Sequence, residues 1–502
     1  MAQVKLELLR QLSFGQRVAE DEADHLSSYF VETEQWRKVA TGEIDVIFGT
    51  KGAGKSAIYS TLLQRDGIFF DNGIILIAAE NPRGTPAFRD LIADPPTSEQ
   101  EFVALWKFYI LSLIGTTLVE YDAIGDAASE VRSVLAREKL LPAKNAPLRT
   151  RIISILSYVR RSFSLQAEVK LDPVTGSPVA IGGNISLSEP TAEEIERGVV
   201  SIDSLLALAN RALAEEGISA WILFDRLDVA FAESRKLEAN GLRALFKCYL
   251  DLLAAERIRL KIFLRSDIWK SITQAGFREA SHITRHMTIS WGDAALLNLM
   301  SNRVLQNHPI ARYYGYNTAT ALSASQQRAL FNAMVPEKVD AGKNPKTFEW
   351  ILGRVRDGTG TVAPREVIHL LSEARDAQIA MLERGEDEPP NSEIFTRQAF
   401  RDALFPVSKS RLEQTIYAEY PELREHISDF EEEKTAHSLE TLTDVWGCDV
   451  EEARTAANSL VEIGFFERRG DKENPRFWVP FIYRPALSMI QGSAQGLQEP
   501  GF

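Results

Sequence analysis

Cysteine is nearly absent: Cys248 and Cys448 are the only two in 502 residues, far apart and without metal-ligand spacing. A disulfide framework and a cysteine zinc site are both excluded, and a reducing compartment is the simple reading. No uninterrupted apolar run is long enough to cross a bilayer. The opening Met1-Ala2-Gln3-Val4-Lys5 lacks the apolar stretch of a secretory signal, so a cytoplasmic protein with no membrane partner is expected. Internal repeats are missing too. Positive charge is in deficit: 57 Lys and Arg stand against 70 Asp and Glu, a net of −13. Such a chain is not coated in phosphate-binding surface, although a local basic face stays open to it.

What is present is ordinary in bulk, with 45% hydrophobic and 25% charged residues and length enough for several domains. Residues 1–43 read as helical. Ile44-Asp45-Val46-Ile47-Phe48 reads as a buried strand entering a glycine loop, with helix from Lys55 to about Leu63. Continuous apolarity at 73–79 suits a strand of a parallel sheet covered on both faces, and 220–224 and 260–264 read as further strands. Helices are expected at 98–120, 202–216 and 240–256. A basic helical piece (Arg149, Arg151, Arg160, Arg161) leads into alternation at Phe163, Leu165, Ala167, Val169 and Leu171. A turn at Asp172-Pro173 and a second alternation to Leu187 complete a β-hairpin signature at about 162–188. The hairpin is either a small structural ribbon or a contact arm for a neighbouring subunit or nucleic acid. Residues 291–390 read as a helical lid, 391–436 as a helical connector, 437–490 as a separate module and 491–502 as a tail. The expected fold is α/β: a P-loop NTPase parallel sheet at 44–290 with an inserted hairpin, an all-helical lid and a C-terminal winged helix.

Chemistry concentrates at Gly49-Thr50-Lys51-Gly52-Ala53-Gly54-Lys55-Ser56, followed by Ala57. The glycines let backbone N–H groups close on phosphates, Lys55 brings a compact cation to the β/γ oxygens, and the Ser56 hydroxyl suits Mg²⁺. ATP and Mg²⁺ are the implied cofactors. The apolar strand Trp221-Ile222-Leu223-Phe224 delivers Asp225 at its carboxyl end, where open parallel sheets bind ligands. Asp225 suits the metal shell, and Asp228 suits the orientation of an attacking water. A third strand ends in Arg265-Ser266-Asp267, which read either as γ-phosphate sensors or as a solvated strand end. Pro364 opens a helix whose Arg365 either reaches the nucleotide or lies on the surface.

In this order, the glycine loop, acidic strand, polar strand end and lid arginine resemble the AAA+ and STAND branch of P-loop ATPases. The module after the lid makes the chain most similar to the origin-recognition initiator group. Residues 13–36 (SFGQRVAEDEADHLSSYFVETEQW) and 477–487 (FWVPFIYRPAL) also look like prokaryotic ATPases associated with phage defence. The resemblance implies a homo-oligomer in which an arginine of the next subunit completes the site, with Arg278 and Arg285 at the expected place. Initiator-type strands end Asp-Glu, whereas here Arg226 follows Asp225, which implies slow hydrolysis and shifts the catalytic role to Asp228.

The C-terminal module reads as a winged helix with helices at 438–446 and 449–463 and wing strands at 465–469 and 476–483. Its second helix is acidic (Glu451, Glu452, Glu462 against Arg454), so any DNA contact falls to the wing through Arg468, Arg469, Lys472 and Arg476. A protein-contact module and a structural cap are the competing readings. Two functions follow. One is a nucleotide-dependent switch or assembly platform controlling a separate effector protein, plausibly in anti-phage defence. The other is an initiator-like DNA-binding ATPase that loads or remodels a replication or transposition complex.

Overall fold

The computed structural model describes residues 2–16, 22, 30–79, 98–142, 147–167, 185–186, 190, 192–196, 199–227, 235–317, 321–471 and 474–494. The chain forms two compact units. One comprises 34–50 and 54–289; the other gathers Met1–Thr33, Lys51–Ala53 and Ser290–Phe502.

The first unit is built on five parallel strands: β1 (Val46–Gly49), β2 (Ile74–Ala78), β3 (Ser219–Phe224), β4 (Ile258–Arg265) and β5 (His286–Thr288). Their order across the sheet is β2-β3-β4-β1-β5. Phe224 faces Ile262 and Ile262 faces Val46, so the carboxyl ends of β3, β4 and β1 share one edge. The central strands are buried along their length, as a parallel sheet with helices on both faces requires. Ser98 caps the helix Glu99–Glu120 by accepting from the Glu101 amide, and Ser201 caps Ile202–Glu215 through the Ser204 amide. Glu99–Glu120 packs against Asp126–Arg137, Leu148–Ala167, Ile202–Glu215 and Arg235–Leu252.

That central helix carries no uninterrupted apolar run either. By length and composition it is apolar enough to cross a membrane, yet 89% of its apolar window is buried inside the protein. Scattered polar residues such as Lys107 and Ser112 interrupt it. The expected hairpin changes. Phe163, Leu165 and Ala167 close the helix Leu148–Ala167 rather than opening a strand. Residues 168–184 and 187–189 lie outside the described residues, and Ile185–Ser186 pairs in parallel with Val200–Ser201. Arg151, one of the cations of the basic helical piece, is buried. Its Nη1 donates to the Ser112 carbonyl at 2.8 Å and to the Thr116 hydroxyl at 2.6 Å.

In the second unit the helix Ala2–Gln11 packs on Pro364–Glu383, with Leu8, Leu9, Leu12 and Phe14 joining the core of the helical region. The N-terminal stretch is therefore not one helical segment, because Glu34–Ala40 belongs to the first unit. Near the C-terminus four strands form a second sheet: β6 (Lys434–Ser438), β7 (Glu467–Gly470), β8 (Pro475–Trp478) and β9 (Ile490–Ser493), ordered β9-β6-β8-β7. Between β6 and β7 come the helices Leu439–Trp446 and Val450–Glu462. The Asp449 carboxylate caps the latter, accepting from the Glu451 and Glu452 amides at 2.9 Å each.

Candidate functional site

β1 ends at Gly49, and the chain turns through 50–54 into the helix Lys55–Gln64. The turn needs glycine twice: Gly52 has φ 79° and Gly54 has φ 96°, left-handed values that a β-carbon disfavours. Gly54 is the helix N-cap. No side chain caps the helix and no acid lies in its first turn, so its leading amides and positive dipole end are left for an anionic ligand. Lys55 Nζ donates to the carbonyls of Gly49 at 2.8 Å and Thr50 at 3.0 Å, which pins the entry to the loop. Ser56 and Ala57 follow in the first helical turn, both half-buried.

The sheet register gathers the other polar strand ends on this edge. Asp225 directly follows β3 and is 4% exposed. The next residue, Arg226, has φ 56°, an uncommon conformation for a side-chain-bearing residue and a mark of local constraint at the strand exit. Arg265 ends β4 opposite Gly49. Its guanidinium forks onto Asp267, with Nε–Oδ1 at 3.1 Å and Nη2–Oδ2 at 2.6 Å. Between them the Ser266 hydroxyl is buried with no partner among the described residues. An orphaned buried hydroxyl beside a phosphate loop is the kind of group a ligand satisfies. Asp228 lies outside the described residues.

In the second unit the loop tip has partners of its own. Trp291 Nε1 donates to the Ala53 carbonyl at 2.8 Å, and Lys51 Nζ lies 2.6 Å from Glu419 Oε1. A β-carbon on Gly52 would stand 2.9 Å from that of Arg365, so glycine at 52 is what admits the arginine. Within the first unit the donor set fits a nucleotide with its metal: loop amides and Lys55 for phosphate, and Ser56 and Asp225 for Mg²⁺.

The two arginines expected to act across a subunit boundary separate clearly. Arg285 is engaged within its own chain, with Nε 2.7 Å from Asp45 Oδ2, an ion pair by distance, and a second nitrogen donating to the Gly42 carbonyl. That use removes it as a free finger. Arg278 is exposed on the short turn Arg278–His282.

On the C-terminal sheet Arg468 is exposed and Arg476 sits across from Arg469. Arg469 forks onto Glu467 at 2.8 and 3.0 Å and lies 3.9 Å from the Trp478 ring centroid, so part of its charge is already used. Lys472 is outside the described residues. Arg454 stands 3.5 Å from Glu451, which leaves the second helix with no unopposed cation. Sequence reading missed the Lys51–Glu419 pair and a buried Lys261–Asp45 pair at the opposite end of the sheet. Nothing local announces either one.

No protein-family model matches the chain, and no curated protein matches it. Solved structures are similar to it at low scores. The Aeropyrum pernix ORC1 protein in complex with DNA is 10% identical at TM-score 0.37, over 94% of this chain and 96% of that one. Cdc6p from Pyrobaculum aerophilum is 12% identical at TM-score 0.28, over 90% and 91%. The Aeropyrum pernix ORC2 protein, in ADPNP–ADP complexes, is 11% identical at TM-score 0.28, over 94% and 95%. At such scores the α/β fold and its candidate site stand on their own geometry.

Proposed function

We propose that the chain binds ATP with Mg²⁺ at the glycine loop and hydrolyses it slowly, as an initiator-type ATPase that acts on DNA. The observation that carries the nucleotide half is the uncapped helix start at Gly54, with Lys55 pinned to its own loop and Asp225 at the same edge of the sheet, across β4. Bound Mg²⁺ would neutralise charge on the phosphate oxygens. The loop amides and Lys55 hold the β- and γ-phosphates. Ser56 and Asp225 supply oxygen ligands, and Asp225 is held in place by its burial. The Ser266 hydroxyl contacts the terminal phosphate. Asp228 orients the water. Arg226, a cation that cannot take a proton, occupies the position where a carboxylate would activate the water, hence the slow turnover. Arg278 is the residue offered to a neighbouring copy in a homo-oligomer.

The DNA half rests on domain order and on the C-terminal module. Its succession of strand, two helices and two antiparallel strands supports a winged helix. The acidic second helix turns the contact over to the wing. A switch controlling a separate effector, in phage defence or elsewhere, finds no support in the fold beyond that same acidic helix.

Replacing Lys55 with Ala tests the nucleotide half by equilibrium binding. For the DNA half, Arg468, Arg469 and Arg476 are changed together to Ala and duplex binding is titrated with salt. Each lost phosphate contact lowers the slope by about 0.9, so a loss of roughly two units is expected, with Arg469 giving the least because Glu467 holds it. Absence of duplex binding by the unaltered chain at low salt, in both ATP and ADP, would overturn the initiator reading.

A further inference from the structure

The loop tip and the lid arginine meet the same stretch of chain. The helix Leu404–Arg411 runs into a wide turn, Leu412–Ile416, with i→i+5 bonding, and then into Tyr417–Glu419. Such turns are uncommon and concentrate at functional places. Lys51 Nζ donates to the Gln414 carbonyl inside this turn at 3.2 Å, and it pairs with Glu419 three residues past the turn's end. At the start of the stretch Arg411 is buried, with Nη1 3.2 Å from Glu366 Oε1 and Nη2 3.4 Å from Asp357 Oδ2. Glu366 is the residue after Arg365, in the first turn of the helix Pro364–Glu383. One side of the stretch therefore holds the loop tip, and the other fixes the turn that carries Arg365 beside Gly52.

The stretch is also fastened to the C-terminal module, at segments that flank its strands. Asp357 Oδ1 accepts from the Thr359 and Thr361 amides at 3.0 and 3.1 Å, which shapes the loop around Gly358. The Gly358 amide donates to the Gly464 carbonyl at 2.7 Å, and a β-carbon there would lie 2.2 Å from the Phe466 carbonyl oxygen. Ser408 on the preceding helix accepts from the Ala486 amide at 3.0 Å. Burial would pull the Arg411 guanidinium down, but the Tyr483 hydroxyl and the Glu366 and Asp357 carboxylates around it hold it above its ordinary value. It stays charged beside the two carboxylates.

We propose that residues 411–419 are a positioning element of the nucleotide site, gripping the glycine loop through Lys51 and the Arg365 turn through Arg411 while anchored on the C-terminal module beside its sheet. This rests on the ATP reading, and it adds that nucleotide occupancy is felt at the sheet. Arg411 itself is a poor probe, because its removal leaves two buried carboxylates unpaired and threatens folding. The Lys51–Glu419 pair is part-exposed and can be opened safely.

The test uses the full chain with Lys51→Ala, Glu419→Gln, both together, and the swapped pair Lys51→Glu with Glu419→Lys. A fluorescent ATP analogue is titrated, and amide exchange is followed at 434–438 and 464–470. Each single change is expected to weaken binding by about 3- to 10-fold without moving the melting temperature. The double change should cost no more than either single one, and the swap should restore affinity. Nucleotide should raise amide protection at both segments in the unaltered and swapped chains alone. Additive losses, unchanged affinity in the single variants, or an exchange response that survives them would overturn the proposal while leaving the ATP site intact. An unaltered chain that binds no nucleotide would sink both.

Discussion

The two ends of the parallel sheet both collect charge, and they treat it in opposite ways. At the amino end Lys261 is fully buried in the middle of β4. Its ammonium lies 2.9 Å from Asp45 Oδ1, donates to the Ile44 carbonyl and sits 4.3 Å from the Trp221 ring centroid. Arg285 closes on the other Asp45 oxygen, and Arg259 Nη1 donates to the Gly42 carbonyl at 2.8 Å. Acid and cation there answer one another. At the carboxyl end the glycine loop leaves helix amides uncapped, and the Ser266 hydroxyl has no partner among the described residues. A buried charge satisfied by its own chain is holding the fold, whereas polar groups gathered and left open are waiting for something else. The contrast separates structure from site within one sheet.

The largest effect that could break this contrast comes from the amino end. Asp45→Asn strands Lys261 in the core and should lower stability by about 3 kcal/mol. Affinity for an ATP analogue should be unchanged in whatever fraction stays folded. Urea unfolding and binding on the same sample read both, and a loss of affinity without a loss of stability would invert the assignment.

A smaller effect concerns pH. Burial pushes the Lys261 ammonium down to about 8, Asp45 opposing this and Arg259 and Arg285 adding to it. In the unfolded chain the group titrates near its ordinary 10.5, so between about 8 and 10.5 the unfolded state holds more protons and stability rises with pH. Lys261→Met should flatten that rise, as urea midpoints at several pH values would show. An identical slope in the variant would mean that Lys261 stays charged throughout the window.

The smallest stability effect belongs to the site. Ser266→Ala removes an unpartnered buried hydroxyl, so unfolding should shift by less than about 1 kcal/mol in either direction. ATP turnover should nevertheless fall by about 10-fold, because one donor to the terminal phosphate is gone. A variant that turns over normally would make Ser266 part of the packing.

Much of this architecture was legible before any coordinates. The strands at 46–49 and 219–224 announce themselves through runs of apolar residues, and the glycine loop through residue types that few other turns need. Local rules failed where two periods competed: Phe163, Leu165 and Ala167 alternate like a strand but continue a helix whose apolar face is already packed. Lys261 in Ile258-Arg259-Leu260-Lys261-Ile262 reads as a solvated residue, because only the fold brings Asp45 to it. The pairing of Lys51 with Glu419 joins residues far apart in the chain, and no spacing rule reaches across such a gap. Glycines, caps and buried strands encode themselves locally, while ion pairs between distant segments are written only in the tertiary structure.

The central claim, that 49–56 holds a nucleotide, is tested most directly by equilibrium titration of a fluorescent ATP analogue with magnesium against the unaltered chain and Lys55→Ala. Losing the cation that faces the β- and γ-phosphates should weaken binding by at least about 100-fold, roughly 3 kcal/mol, with the melting temperature unchanged. Equal affinity in the two proteins would contradict the assignment of the glycine loop as the phosphate site.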